Sequence, residues 1–186
     1  RLEPARGESA VLKLQLERAN AIQQYSTRYR IPADLSAAIY DISLSEGIDP
    51  AMAFRLVQVE SNFKVKARSS ASAIGFTQVR LPTARFYQAG ITERQLYDRD
   101  TNLRIGFRFL RDLLRHFDGD LRLALLAYNR GPQRVRDILA AGGDPSNGYE
   151  SSVMGTRRKA VPVQPGAVEI PAPQIPVMVD SVPVGT

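Results

Sequence analysis

Cysteine is absent from the 186 residues, which excludes disulfides, thiolate nucleophiles and cysteine-ligated zinc. Histidine is nearly absent too. The single one, His116, stands between Arg115 and Phe117 near the end of a predicted helix, where it would interact with the local dipole. One histidine cannot build a multi-histidine metal site, and it argues against a Ser-His-Asp hydrolase. No run approaches the ~20 apolar residues that a membrane-spanning helix needs. The chain opens at Arg1 without the basic-then-apolar start of a signal peptide, so any export signal is expected to have been removed or to lie outside this stretch.

What remains is an ordinary globular composition, with 44% hydrophobic and 24% charged residues. The net charge is +6. A basic surface can serve a polyanion, whether nucleic acid, an acidic membrane or an anionic wall. The basic clusters are short, however: Arg134 and Arg136, then Arg157, Arg158 and Lys159. No aromatics interleave with them as on a base-stacking platform, so no nucleic-acid partner is expected.

Helical periodicity dominates the chain. Leu12, Leu16, Ala19 and Gln23 form a stripe on a helix from about Glu8 to Arg28, broadened by Leu14 and Ile22 and broken at Ile31-Pro32. Leu35, Ala38, Ile39 and Ile42 mark a second helix, with Gly47 as its stop. Asp49-Pro50 is a strong start for a third, a capping carboxylate before a proline at the first helical position. Pro82 opens a short helix, Thr92–Tyr97 forms another, and Leu103, Phe107, Leu110 and Leu114 ridge a long core helix starting near Asp100. Asp100 and Asp120 read as helix caps, and Gly131-Pro132 separates two further helices. Nothing alternates convincingly with period two. The expected fold class is all-α, a compact bundle of short helices. Three parts are expected: an N-terminal helical extension over 1–32, one domain over 33–159, and a Pro- and Val-rich extended tail over 160–186. The tail is a candidate contact for a protein partner, although a passive linker is the plainer reading.

The third helix carries one anomaly. Ala53, Leu56 and Val57 lie along one face and Glu60 follows on it, two turns and roughly 20° from Ala53. An apolar setting raises a carboxyl pKa by penalising the charged form, the preparation a general acid needs near neutral pH. Asp41, Asp98, Asp100 and Asp118 have no comparable position.

Four segments recur in order: Val59-Glu60-Ser61-Asn62-Phe63; Ala73-Ile74-Gly75-Phe76-Thr77-Gln78-Val79; Asp100-Thr101-Asn102-Leu103-Arg104-Ile105-Gly106; and Ala127-Tyr128-Asn129-Arg130-Gly131-Pro132. Over roughly Leu35 to Val153 they resemble the catalytic domain of soluble lytic transglycosylases, related in fold to goose-type lysozyme. The resemblance implies a lysozyme-like domain that cleaves peptidoglycan glycan strands. Glu60 would act first as acid and then as base, with a 1,6-anhydro product, no metal and no cofactor. It further implies that Ser69, Gln78, Tyr128, Asn129 and Tyr149 contact substrate, and that the protein works in the periplasm or cell envelope. A hydrolytic muramidase of the same fold, or a non-enzymatic wall-binding module, are the alternatives.

The departures from the family pattern carry expectations of their own. Phe76 and Thr77 replace leucine and methionine and would line the groove. Arg130 replaces a small residue and would put a cation near the sugar. Gly75 would let the chain pass close to the helix that carries Glu60. Pro145-Ser146 replaces the Glu-Thr that precedes the late tyrosine, which leaves stem-peptide recognition open.

Overall fold

The computed structural model describes residues 3–156. The tail expected from residue 160 onward lies outside the described residues, as do Arg157, Arg158 and Lys159. The helices are α1 (Glu3–Tyr29), α2 (Ala33–Ser45), α3 (Pro50–Ser61), α4 (Leu81–Tyr87), α5 (Glu93–Leu96), α6 (Arg99–His116), α7 (Leu121–Arg130), α8 (Pro132–Ala140) and α9 (Tyr149–Met154). Between α3 and α4 runs a minimal antiparallel hairpin, β1 (Ala73–Ile74) and β2 (Val79–Arg80), pairing Ala73 with Arg80 and Ile74 with Val79. Strands of two residues are too short to show alternation, which is why sequence periodicity does not reveal them.

The element boundaries follow local chemistry. The Asp49 side chain accepts from Met52 N and Pro50 opens α3. Thr92 and Gln95 form a capping box on α5, and Asp120 caps α7 through Leu123 N. The expected cap of α6 is corrected. Asp98, not Asp100, accepts from Thr101 N, while Asp100 lies inside the first turn and pairs with Arg99. The ridge of α6 is completed by Leu113, with Leu114 only partly buried. His116 ends α6 beside Arg136. Burial first, and then that guanidinium, lower its pKa against the opposing charge of Asp118.

Around α6 the core closes from several sides. Ile39 and Ile42 of α2, Ala53, Phe54, Leu56 and Val57 of α3, Leu125 and Leu126 of α7 and Val153 of α9 join Leu103, Phe107 and Leu110 in one cluster. Ile74, Val79, Ala84, Ile91, Leu96 and Ile105 form a second cluster under the hairpin and α5. At the end of α2, Glu46 is 3% exposed and accepts from Arg104, Arg108 and Arg111 of α6. Three cations around one buried carboxylate tie α2 to α6 without leaving an unmatched charge inside.

The expected stripe of α1 is corrected as well. Leu12 and Leu16 are 65% and 62% exposed, and Val11 and Leu14 are exposed beside them. The packed face is Ile22, Tyr25, Ser26 and Tyr29. Ser36 of α2 donates to Ile22 O, Tyr25 stacks on Phe54 at 4.1 Å, and Arg18 pairs with Asp41. Of the residues in the expected stripe, only Ile22 falls on the covered face.

Candidate active site

Helix α3 delivers Glu60 one residue before its end. Ser61 secures that end by donating to Val57 O at 3.0 Å, and Asn62 then enters the left-handed region at φ 48°. The three apolar residues before Glu60 on its face are fully buried, while Glu60 itself is only partly buried. Its one hydrogen-bond partner among the described side chains is the Tyr149 hydroxyl, which donates to Oε1. Burial pushes the Glu60 carboxyl up to about 7, and the Tyr149 bond opposes the rise without cancelling it. This is the raised carboxyl that the apolar stripe led us to expect.

Two tyrosines flank the acid. Tyr149 is the first residue of α9 and is 6% exposed. Its backbone N–H donates to Asn147 Oδ1, and α3 holds the far end of α9 through Arg55 Nε donating to Val153 O at 2.7 Å. Tyr128 in α7 donates its hydroxyl to Thr77 O at 2.8 Å and packs on Phe109. Burial, followed by the nearby Glu60 charge, holds both phenols well above their usual pKa, so both remain donors.

The hairpin forms another wall. Gln78 adopts φ 49° and its amide N–H groups donate to Ala67 O at 3.2 Å and Gly75 O at 2.9 Å. Its donor capacity is therefore spent on the loop, and the carbonyl Oε1 is what remains for a ligand. Two expectations fail here, both because the hairpin packs on α6. The close approach at Gly75 is to Asn102, whose Nδ2 would lie 2.4 Å from an added Cβ. Phe76 and Thr77 do not line a groove: they are 4% and 0% exposed, and Thr77 is locked against Asn102.

Ser69 sits in the turn before β1. Its Oγ accepts from Ala73 N at 3.1 Å, and it makes no hydrogen bond to Glu60 or Tyr149. Asn129 is exposed, and its Oδ1 accepts from Asn147 Nδ2 at 2.9 Å, tying the end of α7 to the segment that leads into α9. Arg130 donates to Pro145 O at 2.6 Å, and Arg122 to Asp144 at 2.6 Å and to Ser146. The cation expected to face a ligand is thus employed inside the chain, clamping the segment 141–148 whose sequence departs from the family pattern.

The structure joins Glu60 directly to Tyr149, and links Tyr128 to the Gln78 hairpin through Thr77. Asn129 reaches Tyr149 through Asn147, whose Nδ2 donates to Asn129 Oδ1 and whose Oδ1 accepts from Tyr149 N, while Ser69 is joined to this group through its loop only. Sequence reasoning missed Asn102, which is fully buried and holds the hairpin from both sides: Nδ2 donates to Ile74 O and Leu96 O, and Oδ1 accepts from Thr77 N. Its signals were its position just before the apolar ridge of α6 and its place in the segment 100–106, neither of which gave it a role. Glu150, buried beside Tyr149 with Oε2 accepting no hydrogen bond, gave no signal at all. Among the described residues no group of three or more His, Asp and Glu side chains could hold a metal ion.

Comparison with known proteins places this arrangement. An inactive Glu-to-Gln mutant of the lytic transglycosylase Slt from Pseudomonas aeruginosa superposes with a TM-score of 0.54 at 26% identity, covering 63% of this chain and 22% of that one. The 70 kDa soluble lytic transglycosylase SLT70 from Escherichia coli gives 0.57 at 24% identity over 70% of this chain and 24% of that one. A complex of the 70-kDa soluble lytic transglycosylase with bulgecin A gives 0.59 at 25% identity, with the same coverage. The chain thus spans less than a quarter of the length of these enzymes. The family model of the transglycosylase SLT domain matches residues 37–147, which include Glu60, the hairpin, α6 and the Tyr128-Asn129 segment, and the chain belongs to that family.

Proposed function

We propose that this chain is a peptidoglycan lytic transglycosylase that cleaves the β-1,4 bond between N-acetylmuramic acid and N-acetylglucosamine, with Glu60 as acid and then base. The observation that carries the reading is the Glu60 carboxyl, pushed up to about 7 and bonded to Tyr149. In the first step Glu60 gives its proton to the glycosidic oxygen as the C1–O4 bond breaks. The C6 hydroxyl of the muramic acid residue then bonds to C1, and its proton passes to the Glu60 carboxylate. The leaving sugar keeps the first proton, the other fragment becomes a 1,6-anhydro ring, and the acid is regenerated without water.

Internal attack removes the entropic cost of recruiting and orienting a nucleophile. It also suits a site where no second carboxylate bonds to Glu60. Asp41 is paired with Arg18, Asp98 caps α6 and Asp100 pairs with Arg99. The Glu-to-Gln change in the inactive Pseudomonas aeruginosa enzyme accords with a glutamate acid. Tyr149 orients the carboxyl, Gln78 offers Oε1 to a substrate donor, and Tyr128, Asn129 and Ser69 shape the groove. Peptidoglycan as substrate implies action outside the cytoplasm, in the periplasm or envelope. Residues 1–32 act as a helical extension of the catalytic domain.

Mass spectrometry of purified sacculi digested by the parent and by Glu60→Gln tests this. Anhydro-muropeptides from the parent and none from the variant are expected. Reducing ends alone would mean a hydrolytic muramidase, equal activity in both proteins would remove Glu60 from the mechanism, and no activity in either would indicate a binding module.

A further inference from the structure

A cleft of about 380 Å³ opens at the other end of α3, lined by Ala21, Gln24, Tyr25, Arg28, Tyr40 and Pro50. Its volume falls within the range of about 300–1,000 Å³ usual for ligand sites. Pro50 starts α3 and Glu60 lies ten residues on, so the cleft is about 15 Å from the catalytic carboxyl along the helix axis. Ala21, Gln24, Tyr25 and Arg28 belong to α1 and precede residue 37, where the family match begins. The cleft therefore exists only because the extension is docked on the domain.

Its lining is neither a core nor an ordinary charged surface. The Tyr25 ring is pinned by Phe54 at 4.1 Å, and the Tyr40 ring stands 6.4 Å from it at 43°. Neither phenol hydroxyl has a hydrogen-bond partner among the described residues. Burial raises the Tyr25 pKa, so that hydroxyl stays a donor. Arg28 lies 5.6 Å over the Tyr29 ring and has no carboxylate partner among the described residues, whereas Arg18 on the same helix is paired with Asp41. Pyranose rings present C–H faces to aromatic rings and a polar rim to amides and hydroxyls, and a guanidinium in reach selects a carboxylate.

We propose that this cleft is a second saccharide-binding site, taking a carboxylate-bearing segment of the polymer that the Glu60 site cuts. The proposal rests on that reading of the substrate. Tyr25 and Tyr40 hold the sugar, Gln24 meets its acyl amide, and Arg28 binds a carboxylate from the lactyl group or from a stem peptide. Holding an insoluble polymer at two points raises its effective concentration at the cutting site, an advantage that short soluble strands would not gain.

Cosedimentation with purified sacculi tests it, using the full chain in a Glu60→Gln background so that nothing is cut. Adding Arg28→Ala and Tyr40→Phe should weaken binding at least about thirtyfold, as expected for losing a charged hydrogen bond and a neutral one. In the active protein the same pair should leave turnover of short soluble strands within about twofold. Arg28 is exposed and Tyr40→Phe keeps the ring, so both variants fold; matched melting curves verify it. Repeating the assay on peptide-stripped strands identifies the carboxylate: an Arg28 effect that survives assigns the lactyl group, and one that disappears assigns the peptide. Unchanged binding in the variants overturns the cleft even if the parent makes anhydro products. Weakened binding with no anhydro product from the parent upholds the cleft and sinks the lytic assignment instead.

Discussion

Glu60 and Tyr149 form a pair with opposed effects. Burial favours the protonated acid that the proposed first step needs, and the phenol's hydrogen bond favours the carboxylate that the proposed second step needs. Rate should therefore fall as pH rises through about 7, where the acid form is lost. Tyr149→Phe removes the group that lowers the carboxyl pKa, so the alkaline limb of the kcat profile should move to higher pH while the maximum rate drops. A limb that stays in place would mean the phenol does not act on Glu60. The same shift has a consequence for stability. The folded state holds the Glu60 proton more tightly than the unfolded chain, whose value is near 4.5, so this contribution is full below about pH 4.5 and lost as pH rises through about 7. Glu60→Gln has no such dependence. Its stability relative to the parent should improve between pH 4.5 and 8, by on the order of 2 kcal/mol for a partly buried group. Thermal melts of both proteins at pH 5 and pH 8 check the sign.

At the scale of elements, the hairpin that carries Gln78 is fastened to α6 at Asn102 and Gly106. Asn102 satisfies two carbonyls and an amide at once, and Gly106, one turn on, leaves room for Thr77. A Cβ at Gly106 would lie 2.3 Å from Thr77 Oγ1 and 2.4 Å from its Cβ. Gly-to-Ala in a helix ordinarily stabilises by about 1 kcal/mol. Here the clash should reverse the sign, and denaturant melts of Gly106→Ala should show a loss. Asn102→Ala leaves three buried backbone groups unsatisfied and should cost on the order of 3 kcal/mol. The contrast with the helix caps explains what was legible. Asp49, Thr92 and Asp120 each bond an amide three residues away, so short patterns reveal them. Asn102 reaches Thr77 and Ile74 across 25 and 28 residues, and Tyr149 reaches Glu60 across 89. Spacing along a chain carries no information about such pairs. Resemblance supplied Tyr149 with a role, and it supplied Asn102 only as a member of the segment 100–106, without one. The resemblance assigned Phe76 and Thr77 to the groove, and Gly75 was expected to approach α3, although the side chains and the space at these positions belong to α6.

For the whole molecule, the question is how the extension joins the domain. The amphipathic pattern of α1 pointed to Leu12 and Leu16, yet the helix docks through Ile22, Tyr25 and Tyr29, and residues 9–20 are all exposed. Apolar periodicity reports which faces could be buried, and the partner decides which one is. Here α2 supplies Ser36 and Asp41 only to the later turns of α1, while Phe54 of α3 seats Tyr25 and Tyr29. The two faces should therefore respond very differently. Leu12→Ser with Leu16→Ser removes no packed contact and should change stability by no more than about 0.5 kcal/mol, typical for exposed sites. Tyr25→Ala strips a stacked ring from Phe54 and should cost about 3 kcal/mol, near the lower end for large aromatic truncations because the ring is only partly buried. Urea melts of the two variants separate these outcomes. A large loss from the leucine pair would mean that the first half of α1 is covered in solution, and it would place the joint between extension and domain on the opposite face.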